Sequence, residues 1–260
     1  MNIDQALVDK VGVVAREAGT FLMQYWGKKL HNNDKPGAGF ATEADRDTEQ
    51  FIIKKLKEID PSIPFWAEES GISQDGSDWY WVIDPLDGTT NFAHHIPYFC
   101  VSIALTYKNE PQVGAIYDPI LDELFVAYKG GGAMLNGARM AVSEVSLEKC
   151  VIAVNLPYVS KDNFEDNFNQ FQVIRSHAGA IRIMGSAALG LAHVAAGRFD
   201  GTFFPGLCWW DVAAGIIILK ESGAIVSELD GTVVGPGYQI FLASGKPIYD
   251  KLCGLLTDKS

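Results

Sequence analysis

Trp79-Tyr80-Trp81-Val82-Ile83-Asp84-Pro85-Leu86-Asp87-Gly88-Thr89-Thr90-Asn91-Phe92 is the stretch around which the chain is organised. It opens as an aromatic and β-branched run, the composition of a buried strand. Asp84-Pro85 then breaks the pattern, because proline donates no ladder hydrogen bond and drives the residue before it into an extended conformation. Asp87-Gly88 reads as a turn pair, and Thr89 or Thr90 as the cap of a short helix. Two carboxylates three residues apart thus straddle a turn at the C-terminal end of a strand. Left unpaired, their charges are costly. A divalent cation removes that cost, and oxygen-only ligands select a hard one such as magnesium. A turn whose aspartates serve only backbone N–H groups fits the local sequence equally well.

Outward from this stretch, composition narrows the choices. A chain of 260 residues with 48% hydrophobic content can bury the core of a single layered α/β domain. A net charge of −11 argues against a nucleic-acid-binding surface, which needs a basic face, and suits a protein that collects cations. Cys100, Cys150, Cys208 and Cys253 are scattered, with no Cys-x-x-Cys pair and no histidine at zinc spacing. They read as buried free thiols in a reducing compartment. The N-terminus shows no signal pattern and no run of 18 apolar residues occurs. A soluble, cytoplasmic protein without a membrane partner is expected.

Ile3, Leu7, Val11, Val14, Ala18, Phe21 and Tyr25 form one face of a long helix ending near Gly27. Residues 31–39 read as a mobile loop. Thr42-x-x-Asp45 opens a second helix, stopped by Asp60-Pro61, and Phe65-Trp66-Ala67 is a short strand delivering Glu68. Phe99 to Tyr107, Val113 to Tyr117 and Leu124 to Tyr128 read as strands, with turns at Asn109-Glu110-Pro111 and Asp118-Pro119. Lys129-Gly130-Gly131-Gly132 is a tight turn, since no Gly-Lys-Ser/Thr follows. Beyond Val145 strands alternate with helices: helices over Ser186 to Ala196, Val212 to Glu221 and Ile248 to Leu256, strands over Phe199 to Phe204, Ala224 to Val226 and Ile240 to Ala243. Taken locally, Glu68 is a strand-end residue, Asp45 a capping-box carboxylate, and Asp211 the N-cap of its helix.

Two families of phosphate chemistry use such a stretch. Phosphatases of the haloacid dehalogenase type carry their two aspartates two apart, whereas Asp84 and Asp87 are three apart with Pro85 between them. The stretch instead resembles the Asp-Pro-Ile/Leu-Asp-Gly-Thr-x-Asn-Phe signature of the inositol monophosphatase family. Thr42-x-x-Asp45-x-x-x-Glu49, Ala67-Glu68-Glu69-Ser70, Gly185-Ser186-Ala187-Ala188 and Trp210-Asp211-Val212-Ala213 resemble that family's other motifs, in its order, from about residue 10 to residue 245. The resemblance implies an αβαβα sandwich of the inositol monophosphatase and fructose-1,6-bisphosphatase type. It would be a single domain over 1–260, with an α+β half to about 145 and an α/β half from about 146, and a homodimer.

Carried over by position, Glu68, Asp84 and the Leu86 carbonyl would hold a first magnesium ion. Asp84, Asp87 and Asp211 would hold a second, and Glu68 with waters a third, weaker one. Thr89, hydrogen-bonded to Asp45, would orient and deprotonate the attacking water. Gly88 and Thr89 N–H groups would bind phosphate oxygens, and Asp87, Gly185, Ser186 and Phe204 would meet the substrate. His94 is expected to be structural. The implied activity is magnesium-dependent, lithium-sensitive hydrolysis of a small phosphate monoester by direct attack of water.

Two departures stand out. Gly39 replaces an aspartate common before Thr42, which bears on the loop where Lys35 lies. Phe204 replaces the glutamate that binds ring hydroxyls in inositol-hydrolysing members, and a phenyl ring accepts no such hydrogen bonds. Sugar phosphates, fructose 1,6-bisphosphate, histidinol phosphate and nucleotide 3′-phosphates therefore stand beside inositol 1-phosphate as substrates. A regulatory protein reusing the fold is the non-enzymatic alternative.

Overall fold

The structure, a computed structural model, describes residues 3–29, 33–34, 40–155 and 164–257. The first part comprises α1 (Gln5–Leu22), β1 (Asn33–Asp34), β2 (Phe40–Ala41), α2 (Glu43–Ile59), β3 (Phe65–Ala67), β4 (Gly71–Ile72), β5 (Trp79–Asp87) and α3 (Thr89–Ala93). There follow β6 (Cys100–Tyr107), β7 (Glu110–Asp118), β8 (Glu123–Tyr128), β9 (Gly132–Leu135) and β10 (Ala138–Arg139). The remainder is β11 (Val151–Val154), α4 (Phe164–His177), β12 (Ala180–Arg182), α5 (Ala187–Ala195), β13 (Gly201–Pro205), α6 (Trp209–Glu221), β14 (Ile225–Ser227), β15 (Ile240–Ser244) and α7 (Lys246–Thr257). Lys35 and Gly39, with most of the expected 31–39 loop, lie outside the described residues.

Eight strands form one sheet in the order β10-β9-β8-β7-β6-β5-β3-β4, antiparallel except where β3 runs parallel to β5. Five form a second, β12-β11-β13-β15-β14, in which β11 runs parallel to β12 and to β13. α1 and α2 cover the outer face of the large sheet with Leu7, Val11, Ala18, Ile52 and Leu56. α5 and α6 fill the space between the sheets, and α4 and α7 close the far side of the small one. These are the five layers of an αβαβα sandwich. A helix covered on both faces must be apolar all round. Leu189, Leu191 and Val194 of α5 and Ile216, Ile218 and Leu219 of α6 meet that demand, each at most 1% exposed. α6 presses so closely on β7 that a Cβ on Gly114 would sit 2.6 Å from the Ala214 carbonyl.

Several expectations are corrected. α1 ends at Leu22, with turns reaching Gly27, and Asp4 caps its start by accepting the Leu7 N–H at 3.0 Å. The hairpin between β6 and β7 turns at Lys108-Asn109, both left-handed (φ 50° and 63°), as two-residue hairpins require, so Glu110 and Pro111 belong to β7. The glycine-rich turn is tight as expected, and the Glu221 carboxylate accepts the Gly130 and Gly132 N–H groups at 2.8 Å each. Cys208 is exposed and Cys253 half-buried, so only Cys100 and Cys150 are buried thiols. Among the described residues no helix is long and apolar enough to cross a membrane.

Candidate active site

β5 does not break at Asp84-Pro85 but continues to Asp87 through an irregularity. Asp84 lies opposite Ser102 and Asp87 opposite Cys100, so three steps along β5 match two along β6. In a regular strand, side chains three apart point to opposite faces. The extra residue of a bulge cancels that inversion and turns both carboxylates to the same side. Pro85 sits inside the irregularity, where the ladder is interrupted and a missing N–H costs least.

Two other elements bring carboxylates to the same place. α6 begins earlier than expected, with Cys208 at its N-cap, so Asp211 occupies the third helical position and accepts the Cys208 N–H at 2.7 Å. Asp84, Asp87 and Asp211 each offer an oxygen within 4.8 Å of the others. Glu68 follows β3, with its N–H donated to the Ile83 carbonyl at 3.1 Å. All four line one cleft of about 270 Å³, together with Leu86, Gly88 and Thr89. Burial, then the neighbouring charges of Glu68, Asp87 and Asp211, pushes the Asp84 carboxyl well above its ordinary range. Asp211 is raised by burial and then by Asp87 and Glu68. Burial raises Asp87 too, against opposing hydrogen bonds from Ser186 and the Ala188 N–H. Such a set of hard oxygen donors, with Asp84, Asp87 and Asp211 raised by burial and Asp84 and Asp211 also by neighbouring carboxylates, fits a divalent cation.

Asp45 makes both contacts its position suggested, to Thr42 and to Thr89. One oxygen, Oδ2, accepts the Thr42 N–H at 2.8 Å and the Thr42 hydroxyl at 2.7 Å, closing the capping box of α2. The other, Oδ1, accepts the Thr89 hydroxyl at 2.8 Å. Burial pushes the Asp45 carboxyl up to about 6, against the opposing hydrogen bonds from Thr42 and Thr89. Neither Thr89 nor Thr90 caps α3. Gly88 does, at φ 102°, where a Cβ would stand 3.1 Å from both Phe99 Cβ and the Tyr98 carbonyl.

Two predicted substrate contacts are placed elsewhere. The Ser186 hydroxyl donates to Asp87 Oδ2 at 2.6 Å, and with the Ala188 N–H, also at 2.6 Å, it anchors that carboxylate to the start of α5. Ser186 is buried and outside the acidic cleft, whereas Gly185 lines it. Phe204 is 3% exposed and lines a neighbouring crevice with Met184, Arg182 and Tyr98. Strand parity sends its ring toward α5, where Gly190 leaves room: a Cβ there would be 3.2 Å from Phe204 Cζ. Leu207 and Trp210, not Phe204, are among the apolar side chains that line the acidic cleft. His94 follows α3 as its C-cap and is exposed, outside the cleft. Asn91 had no assigned role. Its amide donates to the Tyr98 and Met184 carbonyls at 2.7 Å each, tying α3 to the segment before α5. Its place inside the signature was the available signal.

The profile of the inositol monophosphatase family matches residues 4–258. An inositol-1-monophosphatase of Mesorhizobium japonicum is 37% identical over 230 residues, covering 87% of this chain and 86% of that one. The Nus factor SuhB of Pseudomonas aeruginosa is 41% identical over 206 residues, 77% of this chain and 76% of that one. The crystal structure of the extragenic suppressor protein suhB from Bartonella henselae superposes with a TM-score of 0.93 at 36% identity, covering 98% of this chain and all of that one. With the fold, the motif order and these matches in agreement, the chain belongs to the inositol monophosphatase family.

Proposed function

We propose that the chain hydrolyses small phosphate monoesters, inositol 1-phosphate among them, with magnesium and by direct attack of water. The observation that carries this reading is the convergence of Asp84, Asp87 and Asp211 in a cleft that also presents the Thr89–Asp45 pair. Glu68, Asp84, the Leu86 carbonyl, Asp87 and Asp211 would hold the ions. When bound, magnesium neutralises the phosphoryl and leaving oxygens and acidifies a coordinated water. The Thr89 hydroxyl directs its proton to Asp45 Oδ1, which leaves its lone pairs to accept from a water entering the cleft. Asp45, raised toward neutrality, is suited to share that proton. Gly88 and Thr89, at the start of α3, would meet the phosphate oxygens through their N–H groups. With Phe204 turned away, the position of the inositol-binding glutamate offers no acceptor. Sugar phosphates, fructose 1,6-bisphosphate, histidinol phosphate and nucleotide 3′-phosphates therefore belong in the same test. We read the chain as one domain and a cytoplasmic homodimer.

Phosphate release from such a panel, with millimolar magnesium, is the decisive measurement. Turnover of at least one substrate, abolished by a chelator and lowered by lithium, is the expected result. Silence across the whole panel would overturn the enzyme and favour a regulatory role, of the kind the name Nus factor gives to the Pseudomonas relative.

Magnesium binding has a pH signature of its own. Asp84, Asp87 and Asp211 have folded-state pKa values above their unfolded ones, so the metal-free fold gains protons, and stability, as pH falls. Magnesium competes with those protons. The rise in Tm on adding magnesium is therefore expected to be larger at pH 7 than at pH 5. An equal rise at both would contradict the assigned ligands.

A further inference from the structure

Glu49 is a second buried carboxylate on α2, 1% exposed and one turn beyond Asp45. It lies outside the acidic cleft. Its Oε2 accepts the Glu69 N–H at 2.7 Å, and Ser70, the next residue of the turn, also favours the charged form of the carboxylate. The donor lies in the turn between β3 and β4, immediately after Glu68. On the other side, the Glu68 N–H is tied to the Ile83 carbonyl of β5. The backbone carrying Glu68 is therefore held at both ends, by β5 before it and by Glu49 behind it.

A buried carboxylate is costly to desolvate, and a backbone donor from the turn offsets that cost only if the turn keeps its shape. Side chains one turn apart lie on the same helix face. That face of α2 thus makes two contacts with the site: Asp45 to the Thr89 hydroxyl, Glu49 to the turn behind Glu68.

We propose that Glu49 is a positioning residue, which fixes the turn at 69–70 so that the Glu68 carboxylate meets Asp84 and thereby sets the affinity for the cation held there. This rests on the metal-binding reading of the cleft and not on the identity of the phosphate ester. Residues that hold a metal ligand in place from behind carry about tenfold or more in metal affinity.

The test is magnesium binding to the full chain by titration calorimetry, with thermal melting in chelator as a second readout. Glu49→Ala removes every acceptor and is expected to raise the magnesium dissociation constant by about tenfold. Glu49→Gln keeps the volume and one acceptor, and is expected to fall between wild type and Glu49→Ala. If Glu49→Ala fails to fold, Glu49→Gln still decides the matter. A purely structural role predicts a lower Tm in chelator with magnesium affinity within twofold of wild type in both variants, and that result overturns the proposal. Wild-type protein that binds magnesium but cleaves no phosphate ester would overturn the enzymatic reading and leave this comparison intact. Wild type that binds no magnesium overturns both.

Discussion

Asp84→Asn is expected to lower kcat/KM by about 10³-fold or more, the scale of losing a metal site rather than one hydrogen bond. The substitution is nearly isosteric, so the bulge and the pairing of β5 with β6 should survive. What it removes is charge at a position surrounded by Glu68, Asp87 and Asp211. An amide cannot balance the ions that these groups would share. The same crowding predicts an opposite effect on the metal-free protein. Asp84 is 1% exposed and repelled by its neighbours, so losing its charge should leave Tm in chelator unchanged or raised. Phosphate release and paired melts with and without chelator measure both effects. Activity within tenfold of wild type would remove Asp84 from the metal site.

Thr89→Ala should reduce turnover by about 10² or more while leaving magnesium affinity near wild type, because the hydroxyl acts on the proton rather than on the ion. Asp45 loses its Oδ1 donor in this variant but keeps both bonds from Thr42 on Oδ2, so the start of α2 remains capped. Thr89→Ser retains the hydroxyl and should recover most of the lost turnover. If magnesium affinity collapsed and turnover per bound enzyme held, Thr89 would belong with the ligands instead.

Aromatic and β-branched residues at 79–83 made β5 legible, and the almost continuous apolarity of α5, interrupted by His193, marked a buried helix. The bulge was not legible, because it depends on pairing with residues 100–102, beyond any local pattern. Ser186 was legible as a motif residue but not as the anchor of Asp87, since its acceptor is 99 residues away in the chain. Phe204 shows the same limit. The family resemblance identified the position, yet its direction follows from strand parity and from the empty space at Gly190 on another element. Asp45 was ambiguous in the sequence because its two oxygens do two different things.

The clamp between Glu221 and the turn at Gly130 and Gly132 makes the far end of α6 a reporter for the cleft. Asp211 and Glu221 stand ten residues apart on one helix, about 15 Å along its axis. The two glycine N–H groups can exchange with deuterated solvent only when Glu221 releases them. Hydrogen exchange at Gly130 and Gly132 therefore records how firmly α6 is seated, and with it Asp211, with no label or mutation near the acidic cleft.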